Sequence, residues 1–366
     1  MEDKTVTGNP NPEDPEKERK QFEALYKGLV LSVKNSSAKY KNLEDKYFLD
    51  GFIYPNSLAE VTDMLWKQPE KYIDRCLKKH TKLSDTEKSA LSAWKKAAEA
   101  EYVIVQKTER GLALYRDGRL YDVVVEDDPA YYRGCVPGLC TGVLLPFGDS
   151  IYAPKLYFEN GLKFDTPSKQ KIKDAAKAAK KADLFFTSCP NGIAVPDPKK
   201  PPMGVDPDFY FDMRVYPEGY GRSIYREFLI PIENSFDDLA TDILGYYDFD
   251  WDHLYEFVFG KRIYSRNFTI KCSRTADLPW CDDDPDGPDT SCALNEYVGI
   301  RSDFLFHYDF GDDWVFHCHV KSAVAIFPGG EEDPEWLLDS RGKLVQYPSW
   351  DDDEDEEDDG DDESDN

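Results

Sequence analysis

His307, His317 and His319 lie close to Asp309, Asp312 and Asp313 where the chain reads Asp303-Phe-Leu-Phe-His-Tyr-Asp-Phe-Gly-Asp-Asp-Trp-Val-Phe-His-Cys-His-Val320. Imidazole nitrogens and carboxylate oxygens are the donor set of zinc and non-haem iron centres. Apolar and polar residues alternate on both sides of Gly311, the period of two half-buried strands joined by a turn. Residues two apart in a strand share a face, so His317 pairs with His319 and His307 with Asp309. Those four are the candidate ligands of a divalent metal. A second reading needs no metal: Asp312 and Asp313 cap the turn, Trp314 packs on the core, and the histidines line a solvated face.

Other residues offer chemistry more diffusely. Arg226 and Glu256 fall on strands expected to be neighbours, where they would form a buried ion pair or bond to the Asp309 turn; a catalytic acid is the alternative. The segment Cys281–Cys292 places Asp282, Asp284, Asp286 and Gly287 as in a calcium loop, but Ala293 stands where a bidentate Glu is required. Cys135 and Cys140 form the one close cysteine pair, half of a zinc site at most. Gly-x-Ser-x-Gly, His-Glu-x-x-His, phosphate-loop and dinucleotide signatures are missing from the sequence.

The elements that must position these groups follow from periodicity. Apolar residues at Phe22, Leu25, Tyr26, Leu29 and Val33 predict a helix over about Arg19–Tyr47, with shorter helices over Ser57–Trp66, Pro69–Lys79 and Ser84–Ala100. Ser84 with Glu87 is a capping-box signature. A meander of short strands covers Tyr102–Gln106, Gly111–Tyr115, Leu120–Val125, Gly142–Tyr152 and Leu156–Phe158, and an Ala/Lys helix closes the region by about residue 182. Six prolines between Pro190 and Pro207 read as a stiff linker. Beyond it come strands over Asp208–Tyr216 and Ser223–Pro231, a helix over Ser235–Tyr247, strands at His253–Gly260 and Arg262–Tyr264, a short helix near Ser291–Val298, and the hairpin.

The expected organisation is therefore α+β. Residues 1–18 are disordered and 19–189 form a helical N-terminal region with a small β meander. Residues 190–207 are the linker, 208–350 a second α+β domain with a mostly antiparallel sheet, and 351–366 a disordered acidic tail. The net charge is −27, of which the tail supplies 13 carboxylates. Such acidity disfavours direct binding to nucleic acid and suits a protein partner with a basic surface. No apolar run approaches the ~18–20 residues of a membrane span, and the N-terminus shows no secretory pattern. With eight sparse cysteines, a cytoplasmic location without membrane attachment is expected.

The order of motifs over about residues 206–350 resembles the Ri-plasmid open-reading-frame-three-like family, known as plasmid pRiA4b ORF-3-like. Ile224-Tyr225-Arg226 with Leu229-Ile230-Pro231, His253-Leu254-Tyr255-Glu256-Phe257, Gln346-Tyr347-Pro348 and, most distinctively, Tyr308-Asp309-Phe310-Gly311-Asp312-Asp313-Trp314 carry the likeness. Phe316 stands where family members often have His, and Phe327–Asp333 only loosely echoes a Pro-Pro-Glu-Asp-x-Gly-Gly block. The resemblance implies a compact α+β domain, a bacterial setting associated with plasmids and mobile elements, and a motif cluster of Arg226, His253, Glu256, Tyr308, Asp309, Gly311, Asp312, Asp313 and Trp314. It implies no established reaction. The reading that results is an uncharacterised, non-enzymatic interaction or accessory module with no cofactor. The alternative is a metal-dependent enzyme, with nucleic acid as its candidate substrate, built on the 307–319 hairpin with Glu256 or His253. A role in plasmid-linked regulation would rest on the family's genomic company alone.

Overall fold

In the computed structural model the described residues are 15–50, 55–80, 82–125, 136–189, 193, 196–197, 199–221, 223–264, 268–275, 287–329 and 336–347. Of residues 1–18, expected to be disordered, 15–18 are helical and 1–14 lie outside the described residues, as do the acidic tail, Cys135, Cys281 and most of the calcium-like loop. The chain divides into two units, Met1–Pro207 and Asp208–Asn366. Both are α+β, with eight helices among the described residues.

The first helix, α1 (Pro15–Ser36), begins four residues before the position expected from periodicity. Proline suits a first helical turn because its missing N–H has no partner there, and Glu16 and Glu18 complement the positive helix end. It stops well before Tyr47: the Ser36 hydroxyl donates back to the Val33 carbonyl at 2.7 Å at its last residue, and turns over 38–42 lead to a separate helix from Asp45. Helices α2 (Asp45–Asp50), α3 (Pro55–Lys67), α4 (Pro69–Lys79) and α5 (Asp85–Trp94) follow. The Ser84–Glu87 capping box is present in full.

The meander is β1 (Ala100–Lys107), β2 (Gly111–Arg116), β3 (Arg119–Val125), β4 (Gly138–Gly142), β5 (Leu145–Phe147), β6 (Ser150–Ala153) and β7 (Leu156–Phe158). Its sheet order is β5-β6-β3-β2-β1-β4-β7. The chain continues through β8 (Leu162–Phe164), the Ala/Lys helix α6 (Thr166–Lys181) and β9 (Phe185–Phe186), which pairs with β3 in parallel. The helical layer meets the sheet through Phe22, Trp94, Phe147 and Tyr152. Buried Glu18 fastens α1 to the β5–β6 turn by accepting from Asp149 N at 3.0 Å and the Tyr152 hydroxyl at 3.1 Å. The described part of the Pro-rich segment is anchored to the same unit. The buried Arg116 guanidinium donates to the Asp197 and Lys200 carbonyls, and Asp117 N to Pro202 O at 3.0 Å.

The second unit consists of β10 (Asp208–Pro217), β11 (Tyr225–Pro231), α7 (Phe236–Tyr247), β12 (Tyr255–Phe259), β13 (Phe268–Lys271), α8 (Leu294–Tyr297), β14 (Asp303–Tyr308), β15 (Trp314–Ile326) and β16 (Leu337–Arg341). Its antiparallel strands run in the order β13-β12-β14-β15-β10-β11-β16. Residues 262–264, expected as a strand, form a bend and turn instead, and the edge strand next to β12 is β13. Helix α7 starts at a Ser235–Asp238 capping box and lays Phe236, Leu239, Ile243, Leu244 and Tyr247 on one face of the sheet. Met213, Phe257, Phe306, Tyr308 and Phe316 meet them there. Alternation puts Glu256, Leu305, His307, Val315, His317 and His319 on the opposite face.

One carboxylate of α7 conflicts with this packing. Asp242 is half-buried one turn after Asp238; burial, then the charge of Asp238, pushes its carboxyl up to about 6 from an ordinary 3.8. A raised folded-state value means that the folded protein holds this proton more tightly than the unfolded chain. The penalty for ionisation is therefore absent below the ordinary value and complete above the raised one. Replacing Asp242 with Asn should stabilise the protein by about 1 kcal/mol at pH 7, after discounting for partial exposure. The gain should vanish near pH 4. Urea denaturation at the two pH values checks this, and an equal effect at both would refute it.

Candidate functional site around the 308–314 turn

The hairpin register fixes the centre of the site. His307 is opposite Glu256 on β12 and Val315 on β15. Its imidazole is wholly buried, with Nδ1 3.0 Å from Glu256 Oε1 and Nε2 2.9 Å from Asp313 Oδ1. Burial alone would push the imidazole down, but the hydrogen bonds and charges of Glu256 and Asp313 outweigh it and hold its pKa above the ordinary value. In the protonated form both ring nitrogens donate to carboxylates. The Tyr264 hydroxyl also donates to Asp313 Oδ1. That bond, followed by the one from His307, holds the Asp313 carboxyl below its usual range.

The turn is wound by aspartates rather than by its glycine. Asp309 and Asp313 have φ of 55° and 53°, left-handed values that Asp tolerates better than most side chains. Asp309 O accepts from Asp312 N at 3.2 Å and Asp313 N at 2.8 Å, and Asp309 Oδ1 from Gly311 N at 3.1 Å. A β-carbon on Gly311 would come within 3.3 Å of that same Oδ1, so the glycine allows a close approach and supplies no unusual φ.

A second histidine cluster flanks the other side of the turn. His253 Nε2 is 3.2 Å from the Tyr347 hydroxyl, 3.3 Å from Asp252 Oδ1 and 3.5 Å from Asp309 Oδ2. Gln346 donates to Tyr347 Oη at 3.1 Å and accepts from Asp250 N at 2.8 Å, drawing the C-terminal segment into the site. The buried Tyr308 hydroxyl donates to the Asp250 carbonyl and, at 3.3 Å, to Asp252 Oδ1. Trp314 packs edge-on against Phe249 at 5.0 Å. Its buried indole N–H meets no acceptor among the described residues.

The structure thus brings together His253, Glu256, His307, Tyr308, Asp309, Gly311, Asp313 and Trp314 about one turn. The expected metal set does not assemble. Asp309 lies past the end of β14, where its positive φ swings it toward His253 rather than along the face of His307. His317 stacks on Tyr216 at 5.0 Å, while His319 bonds Asp303 at 2.6 Å. Among the described residues no group of three or more His, Cys, Asp or Glu is arranged to hold a metal ion.

Arg226 is also elsewhere. It lies on β11, separated from β12 by β14, β15 and β10, and so makes no pair with Glu256. Its guanidinium stacks over Tyr247 at 4.6 Å and donates to the carbonyls of Tyr225, Tyr246, Arg341 and Gly342 at 2.9–3.1 Å. It joins α7 to the end of β16.

Two contributors escape sequence reasoning. Tyr264 projects from a loop at φ 61° and is 74% exposed. With Phe310, 47% exposed, it covers the His307 ring, at centroid distances of 5.7 and 4.8 Å. No periodic signal marks Tyr264, and Phe310, though inside the Tyr308–Trp314 motif, gains its place over His307 only from the fold. Tyr347, 49% exposed, belongs to a motif segment, but its approach to His253 depends on tertiary folding. The result is a surface where Phe310, Tyr264 and Tyr347 rise among Asp252, Asp312 and Asp313.

The family model described as plasmid pRiA4b ORF-3-like protein matches residues 210–344. Among solved structures, the chain is similar to MM3350, a protein of unknown function from Methanosarcina mazei Go1. The identity is 21% and the TM-score 0.28, over 36% of this chain and 66% of that one, just under two thirds of its length. No curated protein matches.

Proposed function

From residues 210–344 as a plasmid pRiA4b ORF-3-like domain, we propose a non-enzymatic interaction module that receives a basic segment of another protein on the 308–314 turn. One observation carries the reading: both nitrogens of buried His307 are engaged by carboxylates, while the rings covering it remain exposed. With a carboxylate on each ring nitrogen, His307 presents neither nitrogen to a substrate or a metal. Exposed aromatic faces beside carboxylates, by contrast, suit arginine and lysine, through cation–π contacts of ~0.5–2 kcal/mol each and charge attraction. The enzyme alternative with a metal at the hairpin draws no support from His307, His317 and His319, each of which is engaged by different partners.

The cytoplasmic setting belongs to the same proposal, with the free thiols of Cys76, Cys189, Cys292 and Cys318 in its favour. No described helix is long and apolar enough to cross a membrane. A mobile-element context rests on the family's name.

Binding of an arginine-rich nonapeptide tests the module, in the full chain and in a chain lacking residues 351–366, since the acidic tail would attract any polycation. Peptide binding should persist without the tail. It should then weaken about tenfold or more in a Phe310→Ala/Tyr264→Ala double variant. Binding lost entirely with the tail, or indifferent to the two rings, would refute the assignment.

A further inference from the structure

The first unit contains a cleft of about 480 Å³ between α1, α3 and the β7 region, within the usual range for small-molecule sites. Its walls include Val30, Leu58, Leu156 and Phe158, and Lys27 and Lys155 also line it; no carboxylate does so among the described lining residues. That inverts the balance of the chain, which has 72 acidic against 45 basic side chains. Lys27 comes from α1, whose Val30 supplies apolar wall nearly one turn later, and Lys155 precedes β7, which supplies Leu156 and Phe158. Each charged group therefore adjoins apolar wall from its own element.

The ammonium groups are weakly committed. Lys27 Nζ is 3.6 Å from Glu23 Oε2 in a half-exposed i,i+4 pair, a class of interaction worth only a few tenths of a kcal/mol. Lys155 Nζ lies 4.7 Å over the ring of Tyr157, which is itself exposed. A ligand carboxylate can compete with both. The apolar walls supply affinity in proportion to the area they cover, ~25 cal/mol per Å², and the lysines select the sign of the head group.

We propose that this cleft is a binding site for a small anionic amphiphile, a carboxylate carrying an aliphatic chain, with the chain against Leu58 and Leu156 and the carboxylate at Lys27 and Lys155. The site is independent of the peptide surface proposed for the second unit.

Calorimetric titration of the full chain with decanoate and with decyltrimethylammonium, both below micelle formation, tests the proposal. Decanoate should bind with one site, and the cation at least about tenfold more weakly. A Lys27→Met/Lys155→Met variant should lose decanoate affinity about tenfold or more while melting as the unmodified protein does without ligand, because both side chains are at the surface. Leu58→Trp, which fills the cleft, should abolish binding. Should that variant fail to fold, the lysine variant still decides the matter. No decanoate binding, equal binding of the cation, or full binding by the lysine variant would overturn the proposal.

Discussion

Replacing His307 with Leu should destabilise the second unit by about 3 kcal/mol at pH 6, toward the lower end of the cost of removing one partner from a buried ion pair, since Asp313 is partly exposed. The substitution leaves Glu256 and Asp313 without the cation between them. The pH dependence is more diagnostic than the size. The His307 value is raised, so its contribution is complete below the ordinary 6.5 and is lost as pH climbs through the elevated value. The Asp313 value is lowered, so its contribution is complete above the ordinary 3.8 and is lost as pH falls through the depressed one. Both contributions are complete only between pH 3.8 and 6.5. Chemical denaturation of the two proteins across pH 4–9 should therefore show the largest gap in that window and a narrower one above it. A gap independent of pH would mean that His307 acts through packing alone.

The second large effect belongs to Tyr308. Its ring is fully buried, centroid 6.1 Å from Phe306 and 6.4 Å from Phe249, and its hydroxyl donates to the Asp250 carbonyl. Tyr308→Ala should cost about 4 kcal/mol, as large-to-small core substitutions do. Tyr308→Phe, which keeps the ring and removes the hydroxyl, should cost about 1 kcal/mol. The two measured by urea denaturation separate packing from hydrogen bonding. If Tyr308→Phe cost as much as Tyr308→Ala, the hydroxyl's link to the 250–253 segment, and not the ring, would be the main support of the turn.

Much of this architecture is legible in the chain. Alternation on either side of Gly311 specifies β14, β15 and the faces of His307, His317 and His319, because a two-residue period leaves one register that buries Phe304, Phe306, Phe316 and Cys318. Ser84–Glu87 marks the start of α5 by local chemistry, which tertiary packing leaves intact. The pairing of Arg226 with Glu256 fails for a different reason. β11 and β12 are consecutive in sequence, but the α7 crossover places three strands between them, and a sequence period does not encode sheet order. Likewise Asp309 follows the face of His307 only if the strand continues. A left-handed residue at the strand end redirects it, and the side-chain bonds that make this tolerable are tertiary. Glu256, Asp313 and Tyr264 converge on His307 from three elements, so their roles emerge only after folding. A sequence with three nearby histidines suggests metal binding, but in the fold His307 is held by Glu256 and Asp313, His317 by Tyr216 and His319 by Asp303.

On the proposed function, the locked 308–314 turn presents its exposed rings and acids to a basic partner. Hydrogen exchange followed by mass spectrometry, on the chain lacking residues 351–366 with and without the arginine-rich nonapeptide, tests it most directly. Added protection in the peptide-bound state should concentrate on peptides spanning residues 250–264, 308–314 and 344–347. Protection confined to the first unit, or none at a peptide concentration that saturates binding, would contradict it.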